Sequence, residues 1–254
     1  MTIGHEKLGS GNEGVIVLHG WFGDHKVFEP MFPYLDTDTY TYAFVNYRGY
    51  GLSMDMAGEH TMNEIAADAI ELANHLGWDK FHVIGHSMGG MAMQRIALDA
   101  LGRVKSGIAV TPVPASGVPL DEDGKALFDG APDNDDNRRM ILDFTTGNRL
   151  SKRWLDARVK ASRETTTRDA FADYLVAWTQ TNFSEEIRGL DIPVLVLYGE
   201  YDLALTGEVM QQTYIEWLPN AELAMIGNSG HYPMQETPVF LTTTVEKFMH
   251  KHSS

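Results

Sequence analysis

Hydrophobic positions along this chain fall into two textures. Short apolar runs at 15–18, 42–45, 81–84, 108–110, 194–198 and 223–226 alternate with longer stretches in which apolar residues recur every three or four positions. Runs of the first kind fit parallel strands covered on both faces. In the stretch 63–76, Ile65, Ala69, Leu72, Ala73 and Leu76 share a helical face, and Gly77 provides a stop. Stretches 88–101, 208–218 and 239–250 read as further helices. Strand and helix in strict alternation predict an α/β fold with a mostly parallel, doubly wound sheet. The alternation breaks after Thr111-Pro112-Val113-Pro114 and resumes at Ile192-Pro193, with helical patterns only, at 135–146, 151–163 and 168–181, in between. The expected organisation is a core of residues 1–111 and 192–254 with a helical cap inserted at 112–191. The plainer alternative is that these helices pack directly on the sheet.

Composition narrows the chemistry. The 254 residues suit one domain, and there is no cysteine, so thiolate nucleophiles, disulfides and Cys-ligated zinc are excluded. The start of the chain lacks a charged residue followed by an apolar run, no stretch approaches the length of a membrane span, and a cytoplasmic location is expected. A formal charge of −15 argues against non-specific nucleic-acid binding.

Gly85-His86-Ser87-Met88-Gly89-Gly90 follows an apolar run and opens a helical stretch. In that setting G-x-S-x-G reads as a nucleophile elbow, with Ser87 at the tip of a turn so sharp that Gly85 and Gly89 must be small. A serine needs a base. His231 in Asn228-Ser229-Gly230-His231-Tyr232-Pro233 follows the last strand pattern and is the candidate. The acid that orients it is expected after the preceding strand, in Gly199-Glu200-Tyr201-Asp202. Asp202 is favoured, and Glu200 is the local rival. An oxyanion requires two N–H donors: Met88, at the start of the helix, and Trp21 in His19-Gly20-Trp21-Phe22-Gly23, where the glycines let the backbone approach a ligand. Phe22, Phe144, Trp154, Tyr174 and Trp178 could wall an apolar acyl pocket, or could simply fill the core of the cap.

These motifs, together with Asn46-Tyr47-Arg48-Gly49-Tyr50-Gly51-Leu52-Ser53, fall in the order of the α/β-hydrolase superfamily, which the chain resembles along nearly its whole length. The resemblance implies a Ser87–His231–Asp202 triad, hydrolysis of carboxylic esters through an acyl-enzyme, and no cofactor or metal. The Asn46–Ser53 run resembles a structural turn of the family, with Asn46 where Asp is usual. Cofactor-free perhydrolases share the triad. Carbon–carbon hydrolases of dienoates and triad-bearing receptors are the alternatives to an esterase. The chain also looks similar to the pimeloyl-ester esterases of biotin synthesis, whose substrate rides on an acidic carrier protein. Between 138 and 168 nine basic residues face only three acids, Asp143, Asp156 and Glu164. Such a basic cap would suit a carrier or a substrate carboxylate, unless it is merely a solvated surface.

Overall fold

Five of the six apolar runs become the inner strands of one sheet, and the sixth, 223–226, lies in an edge strand. The computed structural model describes residues 2–253. Its strands are β1 (His5–Gly9), β2 (Glu13–Leu18), β3 (Tyr40–Val45), β4 (Phe81–His86), β5 (Val104–Val110), β6 (Val194–Gly199) and β7 (Ala221–Ile226). They lie in the order β1-β3-β2-β4-β5-β6-β7, with every neighbouring pair parallel except β1 against β3. Every residue of β3 and β4 is buried, as expected of strands covered on both faces. Strand β1, HEKLG, is half polar and forms the antiparallel edge, so it carried no apolar signature.

The helices are α1 (Met62–His75), α2 (Met88–Asp99), α3 (Glu122–Gly130), α4 (Asp135–Thr145), α5 (Lys152–Glu164), α6 (Arg168–Gln180), α7 (Ser184–Ile187), α8 (Gly207–Met210), α9 (Pro233–Glu236) and α10 (Pro238–His250). Five of them, α3 to α7, separate β5 from β6. Residues 25–34 form tight 3₁₀ turns in which Pro30 and Pro33 prevent an α-helical ladder. The stretch 208–218, expected as one helix, continues from α8 into a wider π turn at Gln211–Ile215. That turn carries Tyr214 inward, where its hydroxyl accepts from Gln94 Nε2 at 2.7 Å and lies 3.1 Å from the carbonyls of Gly90 and Val113. No helix among the described residues is long and apolar enough to cross a membrane.

Parallel pairing places the ends of β2, β4, β5, β6 and β7 along one edge, with Leu18 beside Gly85, His86 beside Val110 and Gly199 beside Ile226. The loops that leave this edge carry Trp21, Ser87, Thr111, Asp202 and His231. Crevices at such carboxyl ends are where open α/β sheets bind ligands.

Candidate active site

Ser87 sits between β4 and α2 with φ 54° and ψ −119°, a strained conformation for a residue with a side chain. The strain is tolerated because nothing larger than hydrogen fits around it. A Cβ on Gly85 would lie 2.2 Å from the Gly89 carbonyl oxygen, and one on Gly89 would lie 2.6 Å from the Leu18 carbonyl oxygen. Ser87 N–H donates to Val110 O at 3.0 Å, which ties the elbow to β5. Its Oγ has no hydrogen-bond partner among the described residues and faces a cavity.

The loop after β2 presses on this elbow. A Cβ on Gly20 would approach His86 Nδ1 to 2.8 Å and Ser87 Cβ to 3.0 Å. Trp21 is held beyond it: its indole N–H donates to Phe171 O at 2.7 Å, and the two rings stack at 4.1 Å. Among the described residues, neither the Trp21 nor the Met88 backbone N–H has an acceptor. The Met88 N–H also opens α2, whose end favours negative charge.

His231 Nδ1 lies 2.7 Å from Asp202 Oδ2. A carboxylate only accepts, so the ring donates from Nδ1, and Nε2 is left with a lone pair. Asp202 is buried, and its other oxygen accepts from the N–H groups of Ala204 and Leu205, each at 3.0 Å. Glu200 turns elsewhere, accepting from Asn228 N–H at 2.7 Å, so the geometry separates the two acids.

The backbone of His231 is fixed on both sides. Its N–H donates to Thr145 O, at the end of α4, at 3.0 Å. Its carbonyl accepts from His86 Nε2 at 2.8 Å and from Thr111 Oγ1 at 3.0 Å. His86 therefore carries its proton on Nε2. Burial, reinforced by the nearby His231, holds its pKa well below the usual histidine value, and its Nδ1 is buried without a partner. Thr111 adopts φ 41°, an unfavourable conformation for a β-branched residue. The sequence reading assigned no part to His86 as a support for His231, nor to Thr111. The only signal was their place directly after strand runs.

A cavity of about 560 Å³ opens over Ser87 and His231. Trp21, Phe22, Phe128 and Trp178 line it, as do Met140, Ile141 and Phe144 from α4. Of the residues expected to wall a pocket, Phe22, Phe144 and Trp178 line this cavity. Trp154 does not line it: its indole donates to Gln235 Oε1 at 3.1 Å and its ring meets Tyr232 edge-on. Tyr174 is also elsewhere, buried against Tyr47, Tyr50 and His60. The α3 contribution of Leu127 and Phe128 was not expected.

The basic stretch 138–168 is largely neutralised. Acids just before it, Asp133, Asp135 and Asp136, pair with Arg168, Arg163 and Arg139. Arg149 reaches Glu236 at 2.9 Å, and Lys152 reaches Asp156 at 2.6 Å. Arg138 is buried with its guanidinium 3.8 Å above the Phe171 ring, and burial lowers its pKa to about 10. The Asn46–Ser53 turn is structural: Arg48 forms a two-pronged bond to Asp68, and Ser53 Oγ accepts from Gly4 N–H.

Residues 14–238 match the family described as alpha/beta hydrolase fold. A non-heme haloperoxidase of Rhodococcus erythropolis is 25% identical, with 89% of this chain and 88% of that protein aligned. A pimeloyl-[acyl-carrier protein] methyl ester esterase of Legionella pneumophila (strain Corby) is 27% identical over 95% of this chain and 97% of its own. Among solved structures, a hydrolase from Oleispira antarctica superimposes with a TM-score of 0.87 at 18% identity, covering 98% of this chain and 94% of that one.

Proposed function

The chain belongs to the alpha/beta hydrolase fold family, and on that footing we propose that it is a serine esterase acting on carboxylic esters of small molecules. The observation that carries this reading is the 2.7 Å contact between His231 and Asp202 at a cavity into which Ser87 also opens. Ser87 Oγ attacks the ester carbonyl while His231 Nε2 takes its proton, and Asp202 stabilises the imidazolium that results. The Trp21 and Met88 N–H groups hold the oxyanion. Proton return from His231 releases the alcohol and leaves an acyl-enzyme. His231 then draws a proton from water, which attacks the acyl carbonyl and frees the acid. Phe22, Phe144 and Trp178 wall the acyl pocket, and residues 112–191 act as a cap that roofs it.

A second reading, in which the ester is presented on an acyl-carrier protein, draws on the Legionella pneumophila relative. Of the basic residues in the cap, Lys125, Arg138, Arg153 and Arg158 make no ion pair among the described residues; Arg138 is buried and Arg158 half-buried, which leaves the exposed Lys125 and Arg153 available for an acidic surface.

The test is hydrolysis of p-nitrophenyl esters from acetate to decanoate, wild type beside Ser87→Ala. Turnover above ~1 s⁻¹, within the usual enzyme range, that disappears in the variant is expected. Wild-type turnover no faster than the variant's refutes the ester reading. Cleavage of a chromogenic dienoate would then support a carbon–carbon hydrolase.

A further inference from the structure

The charge around the cavity is one-sided. Its walls are aromatic and aliphatic, and the acidic side chains lining it are Asp121 and Asp123; among the described residues no lysine or arginine lines it. Both aspartates are exposed as well as lining, which puts them at the opening. Asp121 caps α3, accepting from Gly124 N–H at 2.8 Å. Asp123, in the first turn of α3, has no hydrogen-bond or ion-pair partner for its carboxylate among the described residues. On the neighbouring helices α4 and α6, Arg139 and Arg168 are held in ion pairs, and Arg138 is buried with its donors on Ala131 O and Ser162 Oγ. Two cations must be weighed against this arrangement, Lys125 and Arg158. Lys125 is exposed on α3 one turn after Asp121, makes no ion pair among the described residues and does not line the cavity. The charge of Arg158 acts on Tyr232, a wall residue, and its Nε is buried without an acceptor, yet its side chain does not line the cavity either.

We infer that Asp121 and Asp123 make the site selective for esters whose acyl chain is uncharged or ends in a cation, and that it rejects chains ending in a carboxylate. An acyl chain that fills the pocket passes the opening, where an anion meets two like charges and no counter-charge among the lining side chains. A carboxylate that travels deeper enters apolar walls with nothing to pair with, which is costly for any ion. A cation ending near the opening meets two carboxylates and aromatic faces instead. This selectivity rests on the ester reading above and deepens it.

The experiment compares three p-nitrophenyl esters of matched length: hexanoate, the half-ester of adipate, and 6-(trimethylammonio)hexanoate. In wild type, kcat/KM is expected to fall by about tenfold or more from the hexanoate to the adipate half-ester, the order of a like-charge encounter at a protein surface. The trimethylammonium ester should equal or exceed the hexanoate. Added salt should narrow the gap. Asp123→Asn should raise the adipate-to-hexanoate ratio, and Asp123→Lys should raise it further. Asp79→Lys changes the net charge equally, in the exposed turn before β4 at the opposite end of the strands, and should leave the ratio in place.

Absence of turnover on hexanoate defeats the ester reading itself. Turnover on hexanoate with an equal or faster rate on the adipate half-ester defeats only the selectivity, and directs attention to Arg158. Rejection of the cationic ester as strong as that of the anionic one shows plain apolar exclusion and removes the aspartates from the account. An Asp79→Lys effect as large as that of Asp123→Lys assigns the discrimination to the whole molecule's field and overturns the proposal as well.

Discussion

Asp202→Asn is the substitution whose outcome the geometry constrains most tightly. The carboxylate has two jobs at once: Oδ1 accepts from two loop N–H groups at 3.0 Å each, and Oδ2 faces His231 Nδ1 at 2.7 Å. An amide can do only one of them properly. If its oxygen stays with Ala204 and Leu205, its NH₂ points at His231 and forces Nδ1 to accept. The ring proton then moves to Nε2, and the lone pair that should take the Ser87 proton is gone. If the amide flips, its NH₂ opposes two donors in a buried site, which costs about 1–3 kcal/mol per unpaired group. The first arrangement therefore prevails, and the wrong tautomer prevails with it. A tautomer reversal of this type lowers kcat by about 10⁴ in a serine protease triad, or ~5 kcal/mol of barrier. We expect a loss of about 10³–10⁴ in kcat on p-nitrophenyl butyrate with the fold intact by circular dichroism. Glu200→Gln, which disturbs only the bond to Asn228, should stay within about tenfold of wild type, since one ordinary hydrogen bond is worth about 0.5–1.5 kcal/mol. If Glu200→Gln loses as much as Asp202→Asn, or if Asp202→Asn keeps more than about a tenth of wild-type kcat, the assignment of the acid is wrong.

The remaining expectations concern the elbow, the pocket and acid stability. Gly20→Ala should lower kcat by about 10²–10³, the usual effect of losing one oxyanion donor, because its methyl would press on His86 and Ser87 Cβ at about 3 Å; unchanged kcat would show that the Trp21 N–H has no part in the reaction. Trp178→Leu, at a cavity wall, should move the ester optimum toward longer chains, whereas Trp154→Phe should leave the chain-length profile in place and lower stability by about 1 kcal/mol through the lost bond to Gln235. Burial pushes His19 and His82 down to about 4 and His86 well below the usual value, so the native state takes up these protons later than the unfolded chain does. Their contribution is complete above the unfolded value near 6.5 and is lost as the pH falls below it, by up to ~1.4 kcal/mol per pH unit for each histidine. The thermal midpoint should be flat above about pH 7 and fall steeply between about pH 6 and 4; a midpoint that holds on acidification would refute the neutral burial of these rings.

The inner strands were legible because a strand covered on both faces has no polar positions to interrupt its run. Strand β1 was not, since its HEKLG holds a single apolar side chain, whereas β7, at the other edge, keeps the run Leu223–Ile226. Helix α3 escaped for a related reason: none of its residues is buried, so it carries no apolar stripe. A start signal was present, however, in Asp121 followed by Glu122 and Asp123. Ser87, Asp202 and His231 were readable from order and spacing along the chain. Trp154 was misplaced because spacing on a helix gives a face but not what that face meets, and the face of α5 that carries Trp154 meets Gln235 and Tyr232 rather than the cavity. The basic stretch left both readings open because several of its counter-ions, Asp133, Asp135, Asp136 and Glu236, lie outside it in sequence and join it only on folding.

The bond from His231 N–H to the Thr145 carbonyl makes the chamber asymmetric. The end of α4 and the imidazole backbone form a fixed wall, since withdrawing one drags the other. Helix α3, with no buried residue, is the loose wall. Widening on the α3 side leaves the base in register, whereas widening on the α4 side does not, so the looser helix is the one whose movement admits reactant and releases product without disturbing the base.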